Sequence, residues 1–120
     1  MALGESTQPV PNNPLYGTAV KMPVQELTDD GAIAIPGGVV HLNKAGVIAA
    51  TLAVPDTNGL VLFITSKTAQ AHTLTVASGI YGLGTSYDVG TFGGAIGDGV
   101  ILVSYGGYWC PASNTNVTWA

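Results

Sequence analysis

From Gly31 to the C-terminus, short apolar runs alternate with turns rich in Gly, Pro, Asn and Asp. Ala32–Ile35, Val39–Leu42, Val47–Val54 and Leu60–Thr65 are built mainly from Val, Ile, Leu and Ala. Between them lie Pro36-Gly37-Gly38, the polar stretch Asn43–Gly46, and Pro55 followed by Asn58-Gly59. Apolar runs of about four to eight residues bounded by such breakers predict β-strands. Leu60–Thr65 is apolar without alternation, the pattern of a strand covered on both faces. Ala71–Ala77 alternates instead, with His72, Leu74 and Val76 on one face and Thr73 and Thr75 on the other. Residues 78–99 read as a long Gly-rich excursion carrying Tyr81, Tyr87 and Phe92. Val100–Tyr105, Gly106-Gly107 and Tyr108–Ala112 predict a terminal hairpin, and Asn116–Trp119 a last short strand.

Only Ala45–Ala53 is ambiguous with helix, because Gly46 and Pro55 bracket mainly apolar residues. The pattern therefore predicts an all-β domain over 31–120, a compact β-sandwich or barrel of about seven to nine short strands. An intertwined prism would share the same strand pattern. No repeat of about 20–50 residues is evident, which argues against a solenoid.

Residues 1–30 follow a different rule. They hold Pro9, Pro11, Pro14 and Pro23 and most of the acidic groups, and neither strand nor helix periodicity survives. This predicts an extended N-terminal arm, in part polyproline-like, that orders against a partner. Val10, Leu15, Tyr16, Val20, Met22, Val24 and Leu27 are too many apolar side chains for a solvated tail.

Composition sharpens the picture. Charged residues make up 8% of the 120 residues, against about 25% in an ordinary soluble domain. A chain this long buries a core without disulfide or metal staples, but it has too few charged groups to cover the rest of its apolar area. The surplus is expected to be buried between subunits, as a homo-oligomer. The net charge is −4 and the cations are Lys21, Lys44 and Lys67, with no arginine. No basic stripe exists to bind nucleic acid or an acidic membrane, and no apolar run approaches the roughly 20 residues of a membrane span. The N-terminus lacks the basic start and apolar stretch of a secretory signal, so synthesis in a cytoplasm is expected.

Candidate chemistry is sparse. Cys110 is the single cysteine and, within Tyr108-Trp109-Cys110-Pro111, reads as a buried, inert thiol. His41 and His72 lack the neighbouring ligands zinc needs, and each reads as a strand histidine bonded to nearby backbone. Asp29-Asp30 fall in the arm, where a glycosidase-like fixed separation is not expected. Asp56, Asp88 and Asp98 stand beside turn residues and are expected to bond their own turns. Gly93–Gly99 has no Lys-Ser/Thr ending and reads as a glycine-shaped turn between strands. No Gly-x-Ser-x-Gly elbow occurs. The expectation is a protein without catalytic, cofactor-binding or metal-binding residues.

The stretch Ala45–Pro55, the turn at Asn58-Gly59, Leu62–Ser66 and Ala71–Thr75 resemble small virion proteins of tailed bacteriophages. So do Thr91–Gly99 and the closing Tyr108-Trp109 and Asn116–Thr118. Proteins of that kind are capsid decoration (cement) or head-fibre proteins, and the resemblance covers residues 31–120. It implies a non-enzymatic homotrimer on the outer surface of a phage head, bound to the major capsid protein. Arm residues Leu15, Tyr16, Val20 and Met22 are then expected to make the capsid contact. The alternative is a fibre- or tail-associated β module that binds host-surface glycan through Tyr81, Tyr87, Tyr105, Tyr108, Trp109 and Trp119, since aromatic faces stack on sugars.

Overall fold

The computed structural model describes residues 21–35, 38–81 and 84–120. Ten strands follow one another along the chain. They are β1 (Val24–Leu27), β2 (Gly31–Ala32), β3 (Gly38–Leu42), β4 (Ala49–Thr51) and β5 (Val61–Ser66), then β6 (Thr73–Tyr81), β7 (Ser86–Phe92), β8 (Gly99–Tyr105), β9 (Tyr108–Thr115) and β10 (Val117–Trp119). No helix occurs among the described residues, and Ala45–Ala53 contains β4 within extended chain.

The first six strands form two parallel ladders. β1, β3 and β5 pair in one, while β2, β4 and β6 pair in the other. The chain passes from one ladder to the other after each of these strands, so it winds round in three tiers. Parallel neighbours cannot be joined by a tight hairpin and need a crossover; here the strand in the opposite ladder serves as that crossover. The chain thus coils through this half without a repeat of fixed length. Register partners Val24, Val39 and Phe63, like Gly31, Ala50 and Leu74, are unequally spaced in sequence. Connections of unequal length conceal a coil from any search for a fixed repeat.

The last four strands close the winding with antiparallel pairs. β8 adds to β5 and β9 to β8, whereas β7 adds to β6 and β10 to β7. A bridge between Ile80 and Trp109 joins β6 to β9. One nearly closed, barrel-like sheet results. The all-β expectation holds, and the hairpin through Gly106-Gly107 is β8–β9. Nine of the described strands fall within 31–120, at the upper end of the expected count, and β7 occupies the supposed excursion. The sheet also begins at Val24, inside the expected arm, rather than at Gly31.

Alternation decides what fills the core. Val40 and Leu42 of β3, Leu62 and Ile64 of β5, Val100 and Leu102 of β8, and Trp109 of β9 are buried along one side. Ile33, Ile48, Ala50, Leu52, Leu74, Val76, Ile80, Phe92 and Val117 complete the same cluster. Burying each large side chain contributes about 1.5–3 kcal/mol. The buried side chains of Ser104 and Asp98 have partners, as desolvation requires. Ser104 Oγ accepts from Leu60 N at 2.8 Å and donates to Thr57 O at 2.7 Å, tying the Asp56–Gly59 turn to β8. Asp98 accepts from Ala95 N at 2.9 Å within its own turn, as expected, and from Asn116 Nδ2 at 3.2 Å. Asp88 departs from expectation: it accepts from Ser78 N across the β6 bulge, where Ser78 has φ of 50°.

Candidate interaction surface

The winding gives the molecule two outward sheet faces of opposite chemistry. On β1-β3-β5-β8-β9, the side chains between the buried ones point away from the core. Register then sets them in rows. Val24, Val39, Phe63, Ile101 and Ser113 form one row across all five strands. Val61, Val103 and Cys110 form the row on one side of it, and Tyr105 with Tyr108 the row beyond. On the other side lie Glu26, His41, Thr65, Gly99 and Thr115. The face thus grades from aromatic through aliphatic to polar.

The second outward face is built from β4, β6, β7 and β10. Ala49, Thr73, Thr91 and Thr118 make one row, and Thr51, Thr75 and Val89 another. Threonine hydroxyls hydrate that face, whereas on the two middle rows of the first the one hydroxyl is that of Ser113 on β9, at the end of its row.

Leu60–Thr65 has the composition of a strand covered on both sides. In the structure Leu62 and Ile64 are covered by the core, while Val61 and Phe63 are only half-buried. Above them is an open hollow of about 230 Å³ over Gly99, lined also by Phe63, Thr65, Ile101, Ser113 and Thr115. Cys110 belongs to this face and is half-buried, which corrects its placement in the core.

Other candidate residues are dispersed. Trp109 is fully buried, and its Nε1 donates to Ala53 O at 2.8 Å, so it is not available to stack on a sugar. Trp119 is half-buried over Gly90, where no side chain stands in its way. Tyr87 packs against the core. Tyr81, Tyr105 and Tyr108 remain exposed at 43%, 71% and 38%, with the Tyr81 and Tyr108 rings 5.3 Å apart and tilted by 39°. Among the expected capsid contacts, Leu15, Tyr16 and Val20 lie outside the described residues. Met22 is half-buried immediately before β1.

Neither histidine sits among metal ligands, and no group of three or more His, Cys, Asp or Glu that could hold a metal occurs among the described residues. His41 is on the outward face, and its buried Nδ1 has no hydrogen-bond partner among the described residues, contrary to the expected backbone bond. His72 does bond to backbone. It is fully buried, its Nδ1 accepts from Ile48 N at 2.9 Å, and its Nε2 is 3.0 Å from Thr68 Oγ1. Nδ1 must therefore be unprotonated, which leaves the proton on Nε2 to be donated to Thr68. The ring joins the start of β4 to the loop before β6, edge-on to Phe92. Elsewhere, the exposed pair Lys44 and Asp29 meets at 2.7 Å. The hydrogen bond from Lys44 lowers the Asp29 pKa, and that from Asp29 raises the Lys44 pKa. Exposure and screening make such a pair a minor contributor.

Burial lowers the pKa of His72 below its ordinary value. As pH falls through about 6.5, the unfolded chain takes up the proton first. Stability from this ring is complete at higher pH and declines until the folded-state pKa has also been crossed. His72→Asn, which places Oδ1 near the acceptor position, should melt below wild type at pH 7.5. The two melting curves should draw together below pH 6. A gap that stays constant between pH 7.5 and 5 would refute this assignment.

No protein-family model matches the chain, and no curated protein gives a significant match to it.

Proposed function

We propose that the protein is a non-enzymatic structural protein of a tailed-phage virion. In this reading it is a homotrimeric capsid decoration (cement) protein on the outer surface of the head, made in the host cytoplasm. The observation that carries the reading is the continuous apolar face over five strands, in a chain where only 8% of residues are charged. Such a face suits a subunit whose work is assembly. The resemblance of residues 31–120 to small phage virion proteins supplies the kind of assembly.

The mechanism needs binding free energy alone. A ligand that binds only the expanded shell stabilises it by RT ln(1 + [L]/Kd) per site. Three linked copies engaging a lattice site raise the effective concentration of each further contact. The major capsid protein is the proposed partner, with Leu15, Tyr16, Val20 and Met22 as the proposed contact. The chain enters the described fold at Lys21, next to the edge strand β1, so residues before it can reach a neighbour without disturbing the sheet.

Sedimentation of the purified protein with undecorated, expanded heads tests this directly. Saturable binding at a copy number matching a lattice symmetry site is expected, and removal of residues 1–20 should abolish it while leaving the sheet intact. Absence of binding by the folded full-length protein would overturn the proposal. A second reading, glycan binding by a fibre or tail component, draws on the exposed Tyr81–Tyr108 pair beside Tyr105. Retention of the protein on a glycan array, lost in Tyr108→Ala, would favour it.

A further inference from the structure

We propose that the outward face of β1-β3-β5-β8-β9 is the surface through which copies of this chain join, with a second copy of the same face as its occupant. The inference deepens the homotrimer part of the functional reading and rests on it.

Three observations carry it. First, β5 is apolar on both sides, yet its own chain covers only one. Leu62 and Ile64 are closed off by the core, whereas Val61 and Phe63 face outward beside Val39, Ile101 and Val103. Second, the opposite outward face is occupied by Thr51, Thr73, Thr75, Thr91 and Thr118. The same fold thus hydrates one side and leaves the other apolar. Third, charge is confined to the margin. Glu26 is the charged side chain of the four rows and lies in the outermost one with His41; the aliphatic rows can meet without desolvating an ion. A dry apolar centre with a polar rim is how protein interfaces are built.

Area agrees with a stable contact. Five strands about 4.8 Å apart, each presenting a row about every 6.7 Å, give a footprint of roughly 500 Å² in projection. Side-chain relief raises the accessible area towards the 600–1,000 Å² or so that each partner contributes to an ordinary interface.

Symmetry selects the occupant. A three-fold axis parallel to the strands keeps every row level with the same row of the next copy, so that the β1–β3 side of one face meets the β8–β9 side of its neighbour. Val24 and Val39 then meet Ile101, and Glu26 and His41 meet Thr115 in the polar row. A foreign protein would have to reproduce that gradation, which a copy of this chain possesses already. The hollow over Gly99 accepts a projecting side chain from the neighbour.

The test uses full-length protein in solution. Light scattering should give wild type a mass three times the 12.1 kDa of the chain. Ile101→Lys and, separately, Phe63→Glu should show a threefold loss of mass while keeping the β-sheet circular dichroism spectrum. Thr75→Lys, on the hydrated face, should leave the mass unchanged. Cys110 supplies a readout without substitution at the face: its thiol should be protected from a maleimide at high protein concentration and become reactive on dilution. A wild-type mass of one chain, or unchanged mass in both face variants, overturns the proposal, as does a Cys110 labelling rate independent of concentration. If a face variant does not fold, the Cys110 result decides alone. Should the trimer form through this face but fail to sediment with heads, the capsid reading falls and the interface stands. Heads decorated by single chains would sink the interface and spare the capsid reading.

Discussion

Trp109→Ala is expected to lower the free energy of unfolding by about 3–5 kcal/mol, the usual cost of deleting a fully buried large aromatic. That is a large share of the roughly 5–15 kcal/mol available to a domain. Trp109 is the largest fully buried side chain among the described residues, and its position gives the loss particular weight. It lies on β9 opposite Ser104 of β8 and bridges to Ile80 of β6, the junction that joins the two ladders. Its indole also holds Ala53 O, just beyond β4. Alanine would leave a cavity at the seam of the sheet and free the end of the second ladder. Trp109→Phe keeps most of the packing and loses the hydrogen bond, so a cost of about 1–3 kcal/mol is expected. Urea denaturation of the two variants checks both figures; equal effects would mean the bond, rather than the ring volume, holds the seam.

Gly38→Ala is expected to cost about 1–3 kcal/mol, a typical figure for a side chain forced into a sparsely populated backbone region, and to act at one edge of the fold. Gly38 has φ of +133°, a conformation that side-chain-bearing residues rarely adopt. A Cβ there would also collide with the carbonyl oxygen of Pro23. That oxygen accepts from Val39 N at 2.8 Å, the bond that seats β1 beside β3. Strain and collision fall on the same contact, so β1 should loosen before anything else does. Hydrogen exchange should accelerate at Val39 N and at Asn43 N, which bonds Leu27 O. Gly31→Ala is the control, because nothing lies within 4 Å of a Cβ at that position. Uniform acceleration across β5 and β8 would show that β1 is not an independent edge.

The strands were legible where apolar runs met strong breakers. β3, β5, β8 and β9 fall where Val39–Leu42, Leu60–Thr65, Val100–Tyr105 and Tyr108–Ala112 place them, because those runs combine branched residues with Gly, Asn or Pro at their ends. β7 was hidden by its own composition. Asp88 and Gly90 interrupt its alternation, and Gly90 is there to admit the ring of Trp119, a contact no local pattern reveals. The parallel winding was illegible for another reason. Asn58-Gly59 and Pro36-Gly37-Gly38 announce turns, but turn chemistry does not say whether the chain returns beside itself or crosses to an opposite layer. β1 was concealed by Pro23 and by the acidic residues around it, and it is a strand because β3 offers it a ladder edge.

The surface was legible in fragments. The double-sided apolar character of Leu60–Thr65 was legible, and the structure divides it into Leu62 and Ile64 toward the core and half-buried Val61 and Phe63 outward. The separation of valine and threonine faces needed register, because Val39, Phe63 and Ile101 become neighbours only when three strands align. The six aromatics looked equivalent in sequence. Burial divides them: Trp109 belongs to the core, Trp119 and Tyr87 pack onto it, and Tyr81, Tyr105 and Tyr108 stay outside.

The order of the tiers also governs how the molecule bears load. β1 and β2 are the outermost strands of their ladders, and the described chain begins at Lys21, just before β1. A pull through the N-terminus therefore meets the tiers one after another, each held by a few lateral bonds. The opposite end is clamped by β8 and β9 and by the ring of Trp109. Traction should unpeel β1, then β2, as small separate steps, and leave the β5–β8 pair standing until last. Anchored by that end, the protein would work as an extensible tether that gives length before it gives way.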